Sequence, residues 1–267
     1  MSFLKNLGHE LLKKFADQFR VELPTEPIPP SWAAIVERNV PLSRALSDAE
    51  RERLLRITQL LIREVSFEGC RGLEITEEIQ VTIAASAAML LVRRSFPKFL
   101  RLEHILVYPD SFVAFRVRDA RSLDVERGEH GLEGEAWGDG IVVIAWGDVL
   151  AAASPTPPHG NVALHEFAHV LDFEDGSADG TPLLESDGAR SRWRAIFQRE
   201  FEQLEQDIAA DRPATLDAYA ATNLAEFFAV ATETYFLEPE RLRAGRPQLF
   251  TQLDQFYRAG AGPGSMG

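Results

Sequence analysis

His165-Glu166-Phe167-Ala168-His169 carries the residue types and spacing best suited to chemistry in this chain. On an α-helix, positions i and i+4 lie one above the other on the same face. Two imidazoles at that spacing can grip one metal ion, and a glutamate beside the first can reach a water bound to it. This is the H-E-x-x-H spacing used by zinc peptidases. Only six histidines occur among 267 residues, so a chance pairing of two of them around a glutamate in this pattern is rare.

A catalytic zinc takes three protein ligands and leaves one position open for water. Three carboxylates compete for the third place. Asp175 stands at the offset where metzincins place a ligand, but the glycine that would turn the chain back is replaced by Asp172. Glu226, on a helix further down the chain, would complete the two-histidine, one-glutamate set of the thermolysin type. Its spacing from Asn223 is also that of a capping box, in which it would serve its own helix end. Glu233, seven residues on and on the same face, is a rival. Asp172 shares the face of His165 and His169, and a zinc-bound histidine usually donates its other N–H to a carboxylate. Asp172 is therefore expected to support a ligand, although an exposed acid at a helix end would also fit. His159 reads as a loop residue, and His9, His104 and His130 have no ligand spacing.

The elements that must position these residues follow from periodicity and punctuation. Residues 3–19 place Phe3, Leu4, Leu7, Leu11, Phe15 and Phe19 at helical spacing. Such an amphipathic segment packs on the body of the protein or contacts a partner or membrane surface. Prolines at 24, 27, 29 and 30 make an extended linker after it. Ser47-Asp-Ala-Glu50 is a capping box opening a helix to about residue 64, with Leu54, Ile57, Leu60 and Leu61 facing inward. Thr76 caps a second helix reaching residue 92 through a run of alanines, and Pro97 closes it. Short β-rich segments follow at 105–108, 112–117 and 141–146, the last two separated by a Gly- and charge-rich loop at 128–140. Residues 141–146 are expected to form a buried strand or an edge strand able to pair with an extended peptide. After the Pro155–Pro158 break comes the motif helix, which must stop by Gly176. Helices are then expected at 192–209 and 224–237, with a short segment at 216–221 between them and Pro239 just past the second.

The class is therefore mixed α+β. The organisation reads as an amphipathic segment over 1–22, a linker over 23–31, one domain over 32–258 and a tail over 259–267. Within the domain, a helical part (32–100), a β-containing part (101–150) and a catalytic helical part (155–258) succeed one another. A formal net charge of −13 argues against direct nucleic-acid binding, which needs a basic face. The single cysteine, Cys70, excludes an intramolecular disulfide framework. Neither a secretory signal nor a membrane span is visible, and a cytoplasmic location is expected.

Two blocks make the reading more specific. Asn161-Val-Ala-Leu-His-Glu-Phe-Ala-His-Val-Leu-Asp172 and Asp217-Ala-Tyr-Ala-Ala-Thr-Asn-Leu-Ala-Glu-Phe-Phe-Ala229 together resemble the Mlc titration factor A family of bacterial zinc peptidases. The similarity extends to Val107-Tyr-Pro-Asp-Ser-Phe-Val113, Gly134-Glu-Ala-Trp137, the segment 141–149 and Gln255-Phe-Tyr257, covering roughly residues 30–258. The resemblance implies a zincin-like catalytic domain similar to that of anthrax lethal factor. It implies zinc held by His165, His169 and Glu226, Glu166 as general base, and Tyr219 beside the metal. It also implies a peptide or protein substrate, an aminopeptidase-like activity and binding of a transcriptional repressor of the Mlc type. A non-catalytic regulator that sequesters the repressor, with a structural or vestigial zinc site, is the competing expectation. The N-terminal amphipathic extension departs from the family pattern and bears on partner binding more than on catalysis.

Overall fold

The computed structural model describes residues 21–95, 98–110, 140–154 and 160–259. The amphipathic segment at 3–19, the strand expected at 112–117 and the loop at 128–139 lie outside them. So do Pro97, residues 155–159 with His159, His9, His130, Gly134–Trp137 and the tail beyond residue 259.

Helices dominate. The described chain opens with an extended segment whose Leu23 and Ile28 pack on the core and whose Pro24 and Glu26 carbonyls accept from Arg56. Helix α1 (Pro30–Asn39) starts on a proline, which is pre-set for a first helical turn. A 3-10 turn (Pro41–Ala45) leads to α2 (Asp48–Glu64), whose N-terminus carries the Ser47–Glu50 capping box with both reciprocal bonds formed. Leu54, Ile57, Leu60 and Leu61 face inward, as their spacing requires. Strand β1 (Ser66–Gly69) follows at once, and nothing in its Ser-Phe-Glu-Gly sequence signals a strand. Three of its four residues are exposed, and the strand is recruited by a neighbour rather than by its own propensity.

Helix α3 (Glu77–Met89), capped by Thr76, is buried from Val81 to Met89 and packs on both α1 and α2. Its alanines leave room for that close approach. The helix ends three residues before the position expected, in a turn closed by the Leu90 and Leu91 N–H groups.

Strand β2 (His104–Tyr108) pairs with β1 in parallel, Phe67 opposite Ile105, with α3 as the crossover. Strand β3 (Ile141–Ala145) pairs in parallel with β2, Ile105 opposite Val142, giving the order β1-β2-β3. Val142 and Ile144 are buried and alternate with half-buried neighbours. Trp146, expected at the end of this strand, instead begins the short helix α4 (Trp146–Ala151).

The motif helix α5 (Val162–Asp172) is capped by the Asn161 side chain, which accepts the Leu164 N–H. A 3-10 turn (Phe173–Asp175) and Gly176, at φ +90°, end it where expected. Helix α6 (Asp187–Ala209) begins earlier than the periodicity indicated because Ser186 caps it. A 3-10 turn (Ala218–Ala221) precedes α7 (Leu224–Leu237), and α8 (Pro239–Gly245) and α9 (Pro247–Tyr257) close the described chain. Helices α5 and α7 pack along each other, while α3, α4 and β3 back α5. Trp193 stacks on Phe197 at 4.2 Å between centroids and meets Phe228 and Phe256 edge-on, locking α6 and α9 behind α7.

Candidate metal centre

Helix α5 presents His165 and His169 one turn apart, and α7 presents Glu226 to them from its first turn. Phe227 and Phe228, the next two residues of α7, occupy the aromatic layer against α6. That packing fixes the rotation of α7 and leaves Glu226 on the side facing α5. The Asn223 side chain caps α7 by accepting the Glu226 N–H at 2.9 Å. The cap uses the backbone of Glu226, so its carboxylate is available elsewhere. It lies 3.1 Å from His165 Nε2 and 3.6 Å from His169 Nε2. The two Nε2 atoms are 3.2 Å apart, and one ligand atom from each of the three residues falls within a 4.8 Å group.

The electrostatics follow from burial and this crowding. His169 has no exposed side-chain surface, and those of His165 and Glu226 are 14% and 8% exposed. Burial works against a charged His165, but its bonds to Glu226 and Glu233, with the charge of Glu233 and Glu166, raise its pKa well above the ordinary range. Burial depresses His169, as does the charge of His165, against the opposing pull of Glu226. Burial alone would raise Glu226, yet the two histidines hold it below the usual carboxylate range. Two imidazole nitrogens and one carboxylate oxygen form a donor set suited to a divalent cation of borderline softness.

Glu166 follows His165 on the half-buried face of α5, close enough for its charge to act on that ring. The Tyr219 ring, on the 3-10 turn before α7, lies 6.1 Å from the His165 ring. Asp172 is neither exposed nor the carboxylate that meets a ligand's second nitrogen: it is fully buried at the far end of α5, where its Oδ2 accepts the Gly180 N–H at 2.9 Å, while Glu233 stands at His165 Nδ1. Burial pushes its pKa up to about 8. Asp175 accepts from the Ser177 N–H and O–H and stands outside the metal-ligand group.

Glu233, weighed above as a ligand, meets His165 from the opposite edge. Its Oε1 is 2.7 Å from Nδ1, and its Oε2 accepts the Asn161 N–H at 2.8 Å. The signal in the sequence was its spacing of seven from Glu226, which two helical turns bring to the same face. Gly160 is a residue that sequence reasoning missed. It adopts φ +71°, and a Cβ there would stand 2.2 Å from Glu233 Oε2. The only hint was a glycine next to the cap residue of the motif helix.

A family model described as glucose-regulated metallo-peptidase M90 matches residues 14–258. An uncharacterized protein of Synechocystis sp. is 35% identical over 232 residues, covering 86% of this chain and 84% of its own length. Mlc titration factor A of Yersinia pestis is 29% identical over 228 residues, covering 82% of each chain, and that of Yersinia pseudotuberculosis matches equally. No helix among the described residues is long and apolar enough to cross a membrane.

Proposed function

The chain belongs to the glucose-regulated metallo-peptidase M90 family, and from that premise we propose that it is a zinc-dependent peptidase working through His165, His169, Glu226, Glu166 and Tyr219. The observation that carries this reading is the convergence of three ligand atoms from α5 and α7 within 4.8 Å, with Glu166 next to the first of them. Three protein donors are the complement of a catalytic rather than a closed structural zinc site. A site whose only task was structural would have no use for Glu166 beside it.

Zinc, when bound, supplies Lewis-acid polarisation of the scissile carbonyl and lowers the pKa of a water. Glu166 takes the proton of the attacking water and passes it to the leaving amine, which requires a carboxylate near the ligands that is not itself one. Tyr219 donates its O–H to the oxyanion developing on the carbonyl. Asp172 supports the site by tying the end of α5 to Gly180, in a loop that passes against Leu224 at the start of α7. Strand β3, at one end of the described sheet, would take an extended peptide by adding a strand.

The test is metal analysis and peptide hydrolysis on the wild type and Glu166→Gln. Stoichiometric zinc in both, with hydrolysis lost in the variant, is the expected result. Equal hydrolysis in both would sink the base role, and wild-type protein without stoichiometric metal, never exposed to chelator, would sink the site. A second reading, that the protein binds a Mlc-type transcriptional repressor, is favoured by the name of the Yersinia relatives. Failure of the purified chain to retain such a repressor in a pull-down would remove it.

A further inference from the structure

Helix α7 carries two glutamates seven residues apart, so their Cα atoms are about 10 Å apart along its axis. Both reach His165, but at opposite edges of its ring. Glu226 approaches Nε2, the nitrogen that also faces His169. Glu233 approaches Nδ1 at 2.7 Å and places its second oxygen 2.8 Å from the Asn161 N–H. Both oxygens of Glu233 are thus occupied on the side of His165 turned away from His169 and Glu226. Asn161 is the cap residue of α5, so a single carboxylate fastens both the start of the motif helix and the histidine in its first turns. Its negative charge also sits at the helix N-terminus, where the macrodipole favours it.

The geometry points to Glu233 as a positioning residue, with Gly160 shaped to admit it, that orients His165 for the metal. This rests on the metal site proposed above. By accepting the Nδ1–H, Glu233 selects the tautomer that leaves the Nε2 lone pair directed at the cluster. It also fixes the ring plane, which a singly held imidazole could rotate. Gly160 belongs to the same device for two reasons. A side chain at φ +71° is strained, and its Cβ would occupy the space of Glu233 Oε2, 2.2 Å away. Gly160 and Glu233 therefore form a coupled pair, although neither belongs to the ligand group. Removal of such a supporting carboxylate typically costs 10–100-fold in metal affinity.

The experiment uses the full chain with variants Glu233→Ala, Glu233→Gln, Gly160→Ala and Glu226→Ala. Zinc affinity is measured by competition with a chromophoric chelator, the visible spectrum is recorded after cobalt substitution, and folding is followed by far-UV circular dichroism and Tm. Glu233→Ala and Gly160→Ala are expected to weaken zinc by about 10–100-fold and to alter the cobalt bands while the fold is kept. Glu233→Gln, which retains an oxygen acceptor, is expected to lose less. Should Glu233→Ala fail to fold, Glu233→Gln and Gly160→Ala carry the test. A lowered Tm with unchanged zinc affinity and cobalt spectrum in every folded Glu233 and Gly160 variant would leave Glu233 a helix fastener and overturn the inference. In that case, loss of zinc in Glu226→Ala would still uphold the site itself. If Glu226→Ala keeps zinc and Glu233→Ala abolishes it, Glu233 is a ligand and the positioning role is wrong. Wild-type protein that binds no zinc would overturn both readings.

Discussion

Between residues 30 and 95 the buried polar side chains are neutral: Asn39, Ser43, Thr58, Thr82 and Ser86. Thr58 and Ser86 each donate to a carbonyl one turn back in their own helix, and Asn39 donates across to Thr82 on α3. Between residues 160 and 257 the buried set includes His169, Asp172, Glu174, Glu226 and Arg246. Ionisable groups in a low-dielectric interior are costly unless paired, and hydroxyls that bond their own helix are not. The N-terminal layer therefore stabilises, with α3 as a platform beneath α5. The layer around α5 and α7 spends part of that stability on holding charges where the solvent would otherwise screen them. The concentration of buried ionisable groups in one half is the pattern of a functional site.

Substitutions can break or sharpen this contrast. The largest effect is expected for Glu166→Gln, which should lower peptide hydrolysis by about 10²–10⁴-fold with little change in Tm. A comparable loss of stability would mean that Glu166 is a packing residue like those of the other half. Ile57→Ala, in the fully buried face of α2, should destabilise by about 2–5 kcal/mol in urea unfolding without changing the zinc content of folded protein. Metal loss from the folded variant would show that the platform is not separable from the site.

The next effect concerns pH. Burial holds Asp172 protonated up to about pH 8 and Glu174 up to about pH 7 in the native state. Unfolded, both release their protons near pH 4. Over the interval between, the unfolded chain binds fewer protons than the native one, so their contribution makes stability fall as pH rises. The slope is roughly 1 kcal/mol per pH unit per group and flattens above the native pKa. Asp172→Asn should therefore gain on the wild type between about pH 5 and pH 8 and then hold its lead, as read from urea midpoints. A constant difference across that range would remove Asp172 from the costly set. The smallest effect is expected for Ser47→Ala, which deletes half of the capping box on α2 and should cost about 1 kcal/mol. Its cost should stay level over the same pH interval.

Local rules carried far along the chain. The Ser47–Glu50 box, Thr76, Asn223 and the glycine at 176 mark helix ends because capping depends on neighbours within a turn. β1 escaped notice because its four residues are held by the backbone of β2, which lies across the α3 crossover. The start of α6 was missed because its first residues, Asp187 to Ser191, are polar or small and reveal a helix only through the Ser186 cap.

At the site, the sequence by itself determined that His165 and His169 share a face and that Glu166 stands beside them, since the pitch of a helix dictates both. The paired blocks resembling a known family pointed further, to Glu226 and Tyr219. Periodicity left Glu226 and Glu233 equivalent, because residues seven apart on a helix lie on one face. Only the packing of α7 along α5 separates them, setting Glu226 against the two Nε2 atoms and Glu233 against Nδ1. The same packing makes Gly160 necessary, by bringing Glu233 Oε2 into the space a Cβ would fill. Which edge of an imidazole a carboxylate meets depends on the rotation and axial offset of two helices. The rotation of α7 is set by its aromatic layer against α6, Trp193 and Phe197 on Phe228, whose contacts no local pattern encodes.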